Sequence, residues 1–314
     1  MEPRGLFVII GAAGDECAER VAGSLRDAGL EVVLSADPLV DPYDLTWRLG
    51  SSPPEDEISW GTRAASPREI AGVLVRGARA LVEPDEWTEK DSAYVQSERH
   101  AALIAWLSAL PCTVINRPSP EYWFRPARSF PEWSAILTGC GLPTAAICVT
   151  NQIEAAHDWA GRWAGCATYA PITSSSRYPL VEPAHWNELA KLTAVLPVCL
   201  LPPCAASASY GTVIRDQVVW DDDRPRGVAG LEPALLRLGS QLKLDFLQIE
   251  VACDEDGFHC LSVDPDPKLE RHDEEAQGRI IANLVELLLA SEHGVPDESA
   301  KARPTAHSLP EIWP

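Results

Sequence analysis

The chain has 314 residues, 46% hydrophobic and 23% charged, the make-up of a globular protein large enough for two or three domains. A formal net charge of −20 argues against nucleic acid or an anionic membrane surface as a partner. Nine cysteines, odd in number and without a CxxC pair, set no disulfide framework, and no apolar run approaches transmembrane length. Met1-Glu2-Pro3-Arg4 leads straight into a short apolar run. No secretory signal is therefore predicted, and a cytoplasmic protein with reduced thiols is expected.

Residues 6–10 read as a buried strand, 16–28 as a helix and 31–34 as a second strand, a β-α-β start. Gly11 and Gly14 at the first turn invite a phosphate-binding reading, because glycines let backbone N–H groups approach an anion at a helix start. The spacing lacks the full GxGxxG fingerprint and Glu16 opens the helix, so a tight turn explains them as well. Residues 38–67, rich in Pro, Ser, Asp and Glu, predict a long surface excursion. Residues 71–76 are a buried strand ending on a charge, 91–109 a strong helix, and 113–115 the next strand, with Asn116-Arg117-Pro118 at its carboxyl end. Ligands of open α/β sheets sit outside such ends, which makes Arg76 and Arg117 candidates for a substrate anion. Ion pairs with local carboxylates are the competing explanation.

Residues 121–130 are aromatic and basic and predict an interdomain linker. A small α+β piece follows: helix 132–139, strand 145–149, helix 154–164, strand 166–170, a polar loop over 171–178, helix 186–195 and strand 198–201. A hairpin then crosses Arg215-Asp216 (212–214 and 217–220), and helix 231–242 comes next. Asp221-Asp222-Asp223 reads as a solvated acidic turn, and Cys260 beside His259 as structural rather than catalytic or zinc-binding, since neighbours in a strand point to opposite faces.

The most informative stretch runs from Leu242 to Leu289. Two alternating runs, 246–251 and 258–263, flank Asp254-Glu255-Asp256-Gly257, a hairpin signal. The second enters Asp264-Pro265-Asp266-Pro267, where two prolines end the ladder and hold two carboxylates at its exit. With Glu250 on the first strand, these carboxylates suit a hard cation. His272-Asp273-Glu274-Glu275 reads as the acidic first turn of a final helix, whose Ile280, Ile281, Leu284, Leu287 and Leu288 form one apolar stripe.

This ordered set resembles the ATP-grasp superfamily, closest in layout to its ribosomal-protein glutamate ligase and glutathione-synthetase-like members. The carriers are Asn116-Arg117-Pro118, Gly141-Leu142-Pro143-Thr144, the Arg215-Asp216 hairpin, Leu244-Asp245-Phe246 with Glu250, and Val263-Asp264-Pro265-Asp266-Pro267. The resemblance implies an α/β fold in three parts: an N-terminal parallel α/β (pre-ATP-grasp) domain over 1–120, a small central α+β subdomain over 121–200, and a C-terminal antiparallel sheet with helices over 201–292. Residues 293–314 are expected to be an extended tail. It also implies a carboxylate–amine ligase that uses ATP and Mg²⁺ to form an acyl phosphate on an amino acid or peptide, as in specialised metabolism.

By the same resemblance Glu250, Asp264 and Asp266 would hold Mg²⁺, and Arg76, Asn116 and Arg117 would grip the substrate. Arg128, Ser174, Ser175 and Lys268 would contact the nucleotide, with Arg177 standing in for a catalytic lysine. The chain departs from the family pattern, however. Ala167-Thr168-Tyr169-Ala170-Pro171 carries alanine where a phosphate-binding lysine belongs, and Ser262-x-Asp264 replaces a Glu-x-Asn metal pair. One lost electrostatic contact to a transition state costs about 2.7–4 kcal/mol. A second reading follows: a catalytically inactive relative that binds a ligand or serves as structural partner of an active paralogue, in a homo- or hetero-oligomer.

Overall fold

The computed structural model describes residues 5–290 apart from 13, 36–44, 47–56, 61–62, 77–87, 120–127, 164–166, 173–175, 204–207, 223–226 and 255–256. Most of the expected linker, the 293–314 tail, Ser174 and Ser175 thus lie outside the described residues. The first sheet is parallel, with strands in the order β2 (Val32–Ser35), β1 (Leu6–Ile10), β6 (Ile70–Val75) and β7 (Thr113–Ile115). Helices α1 (Glu16–Asp27) and α2 (Glu89–Ala109) connect its strands. All five residues of β1 are buried, as a strand covered on both faces requires. Asp15 caps α1 by accepting the Ala18 N–H at 3.0 Å, and Thr88 caps α2 through Asp91 N–H.

The excursion expected over 38–67 is a correction. It carries a three-stranded antiparallel sheet of β3 (Leu45–Thr46), β4 (Glu57–Trp60) and β5 (Arg63–Ala65). Ile58 and Trp60 alternate with Glu57 and Ser59 in β4, a period-two signal hidden by the Pro- and Asp-rich residues around it.

Helix α3 (Phe130–Gly139) opens on a capping box, Ser129 with Glu132. The central sheet is antiparallel, ordered β10 (Tyr178–Leu180), β9 (Ala167–Pro171), β11 (Val198–Leu201), β8 (Cys148–Thr150), with helices α4 (Ile153–Ala160) and α5 (Pro183–Thr193). The polar loop expected through Tyr178 therefore gives way to a strand. Pro179 lies within it; β10 is an edge strand, and edges tolerate proline.

The last sheet is antiparallel, ordered β13 (Gln217–Trp220), β12 (Ala208–Ile214), β14 (Phe246–Asp254), β15 (Gly257–Asp264), with helix α6 (Glu232–Leu242) between β13 and β14 and α7 (Glu274–Leu289) at the end. Gly211 lies directly under Trp220, and a Cβ there would meet the indole ring at 2.6 Å. Strand β14 has two occupied faces. Leu247, Ile249 and Val251 pack with Leu235 and Leu238 of α6. Phe246 on the other face joins Phe7, Ile9, Leu74 and Ile115 of the first sheet and Ile280, Leu284 and Leu288 of α7 in one core. That shared core fixes the exit of β15 above the carboxyl ends of the parallel strands.

Candidate functional site

On β14 the face that begins with Phe246 continues with Gln248 and Glu250, since alternate residues share a side. A bulge shifts the β14–β15 register between Glu250 and Val251 and leaves Glu250 opposite Ser262. These residues open into a cleft of about 390 Å³ lined by Arg128, Trp133, Arg177, Glu250, Asp264, Asp266 and Arg271 among others. Five candidates from the sequence, namely Arg128, Arg177, Glu250, Asp264 and Asp266, thus share one cavity.

Each carboxylate in it meets a cation from this same chain. Arg177 donates from Nη1 to Glu250 Oε1 at 3.2 Å and from Nη2 to Oε2 at 2.9 Å, a two-pronged fork. Ser262 Oγ donates to the same Oε2 at 2.8 Å, and the Phe130 ring lies 4.9 Å from the guanidinium carbon. Asp264 accepts the Asp266 N–H at 3.0 Å and faces Arg271 Nη1 at 3.4 Å. Burial raises its pKa above the ordinary carboxylate value. Asp266 pairs with Arg76 Nη1 and with Lys268 Nζ, both at 3.0 Å.

Arg76, Asn116 and Arg117, expected to grip substrate, are turned inward. Arg76 is 3% exposed and donates to Asp15 Oδ2 at 2.9 Å and to the Pro267 carbonyl at 2.8 Å. Burial works against its charge, but Cys17, Asp266 and Asp15 outweigh that and hold its pKa above the usual arginine value. Asn116 takes a left-handed conformation (φ 54°), accepts the Phe246 N–H at 2.8 Å, and donates to the carbonyls of Phe246 and Pro265 at 2.6 and 3.2 Å. Arg117 donates to the carbonyls of Leu107, Leu110 and Cys112, which closes the end of α2. These three fasten the first sheet together or to the Asp264–Pro267 turn, because their carbonyl and carboxylate partners lie within the fold.

Two groups were not legible in the sequence. His272, placed by its sequence context in an acidic helix turn, is buried instead, and Asp221, expected to be solvated, accepts from its Nδ1 at 2.9 Å. The Nε2 atom then faces the Thr212 hydroxyl at 2.8 Å and Gln248 Nε2 at 3.1 Å. Gln248 Oε1 accepts from Arg271 Nη1 at 3.0 Å, so this buried chain ends on a cleft arginine. Arg271 also sits 5.1 Å from the Tyr210 ring centre. The only sequence signal was a Gln at an inward strand position, which is polar where its flanks Leu247 and Ile249 are apolar.

No protein-family model matches this sequence, and a search of curated proteins finds no match. Solved structures do match. Macrocyclase MdnC of Microcystis aeruginosa MRC, bound with precursor peptide MdnA, superposes with a TM-score of 0.70 at 15% identity, covering 91% of this chain and 99% of that one. A RiPP-associated ATP-grasp ligase of Chryseobacterium gregarium, in complex with ADP and a leader and core peptide, gives 0.67 at 16% identity over 91% and 97%. The ATP-grasp ligase PsnB, complexed with minimal precursor, Mg and ADP, gives 0.68 at 20% identity over 92% and 98%. The chain has the ATP-grasp fold.

The residues present fit the nucleotide and metal of an ATP-grasp ligase poorly. Strand β9 turns Ala170 fully inward, so no charge reaches the cleft from that position. A recess between the central and last sheets, lined by Phe130, Ile147, Leu201, Pro202 and Cys260, holds only about 20 Å³. That is room for roughly one water molecule. The Cys260 thiol there is pushed up to about 12 by burial, which keeps it protonated and unreactive. Among the described residues, no group of three or more His, Cys, Asp or Glu is arranged to hold a metal ion. Glu250, Asp264 and Asp266, expected to hold a metal, each pair here with a cation of the chain: Arg177, Arg271, and Arg76 with Lys268.

Proposed function

We propose that the chain is a peptide-binding protein of ATP-grasp fold that does not itself drive ligation, and that it works beside an active ATP-grasp chain. The observation that carries this reading is the two-pronged Arg177–Glu250 pair, which occupies the carboxylate best placed for a metal. Alanine at position 170 agrees with it. The peptide part of the reading draws on the solved relatives whose complexes contain precursor peptides. Among the described residues no helix is long and apolar enough to cross a membrane.

A second reading, the ATP- and Mg²⁺-dependent carboxylate–amine ligase, is favoured by one feature: Arg128, Arg177 and Arg271 line one cleft, and guanidinium forks match phosphate oxygens. Incubating the full chain with millimolar Mg-ATP, with and without an acidic peptide, separates the two. No ADP release above buffer is expected; Mg²⁺-dependent release would establish the ligase.

A further inference from the structure

Three carboxylates of the cleft are neutralised by side chains that come from three separate parts of the fold. Arg76 stands at the end of β6, Arg177 in the segment ahead of β10, and Lys268 and Arg271 just beyond β15. Arg177 reaches from the central sheet to the last sheet, 73 residues away in sequence. Its side chain is 17% exposed and that of Glu250 19%, so the pair is largely removed from water and is screened little by salt.

Both Glu250 oxygens face the fork, and Oε2 also accepts from Ser262. A magnesium ion needs near-octahedral oxygen ligands at about 2.0–2.1 Å. Here a guanidinium lies 2.9 and 3.2 Å from the same oxygens. A hydroxyl also occupies the cross-strand position where a second carboxylate would strengthen a cation site. Both oxygens of this carboxylate are thus already engaged by groups of the chain itself.

We propose that Arg177 takes the place of a divalent cation at Glu250, neutralising the cleft without metal and latching the central sheet onto the last one. The inference rests on the peptide-binding reading and says how its cleft is kept charge-balanced. It also explains the Phe130 ring against the guanidinium. A metal ion has no use for a flat apolar surface there, whereas an arginine gains from one.

Thermal unfolding of the full chain tests it, using magnesium chloride or EDTA as the probe. The wild-type midpoint is expected to be the same in both. Arg177→Ala is expected to unfold several degrees lower in EDTA and to recover part of the loss in millimolar Mg²⁺, because Glu250 is then open to the ion. Glu250→Gln in the Arg177→Ala background should abolish that recovery. Should Arg177→Ala fail to fold, Arg177→Met, which keeps an apolar stem beside Phe130 but no charge, carries the same comparison. A wild-type midpoint raised by Mg²⁺, with the rise lost in Glu250→Gln, would overturn the proposal, as would variants at Arg177 that match wild type in EDTA. A Mg²⁺ shift without ADP release overturns only the latch, and ADP release is what overturns the non-ligating reading.

Discussion

Two regions hold the first sheet to the last, and they do so by opposite physics. The seam around α7 is apolar: Phe7, Leu74 and Ile115 meet Phe246, Ile280, Leu284 and Leu288. The wall beside it is polar, with Arg76 binding Asp15, Asp266 and the Pro267 carbonyl while Asn116 holds Phe246 and Pro265. The seam contributes stability in rough proportion to the area it removes from water. A buried ion pair contributes little over an apolar replacement, yet removing one partner strands the other. The comparison teaches that the seam makes the fold stable while the wall sets where the Asp264–Pro267 turn sits.

Breaking the wall should give the largest effect. Arg76→Ala leaves Asp15 without its buried cation and Asp266 with Lys268 alone, and a loss of about 3–5 kcal/mol is expected by denaturant unfolding. Arg76→Met, which removes the charge but fills the space, should lose nearly as much if the stranded Asp15 is the cause. Breaking the seam comes next. Leu284→Ala, at a fully buried position, should cost about 2–5 kcal/mol without moving the cleft, so any ligand of the cleft should bind the surviving folded fraction unchanged.

The smallest effect sharpens the polar side. Burial raises the folded pKa of Asp264 above its unfolded value. Stability from the protonated form is then fully present below the unfolded pKa and is lost as pH rises through the folded pKa. Asp264→Asn, which keeps an acceptor for the Asp266 N–H, should therefore gain on wild type as the pH of the melt is raised from about 3 to 7, the unfolded carboxylate titrating near 3.9. A gain in the opposite direction would show that Arg271, not burial, dominates at this position.

The seam was legible in the sequence because its signals are local. The i, i+4 stripe from Ile280 to Leu288 and the alternation on either side of the 254–257 turn each lie within one element. Strand β10 escaped because Pro179 carries the signature of a loop, and the strands within 38–67 because their neighbours are so polar. The polar contacts of the wall and the cleft were half legible. Glu250, Asp264 and Asp266 could be picked out as carboxylates at a strand and its exit, but not what they face. That depends on contacts such as Arg177 to Glu250, 73 residues apart, and Arg76 to the Pro267 carbonyl, 191 apart. No periodicity encodes such pairs. His272 escaped for the same reason, since its partners Asp221, Thr212 and Gln248 come from three other segments.

The central claim is that this ATP-grasp fold keeps its cleft closed to the metal–nucleotide complex with its own arginine. Calorimetric titration of Mg-ATP into the full-length protein tests it most directly. Heats indistinguishable from dilution are expected for wild type, and a saturable isotherm with one site per chain would contradict the account.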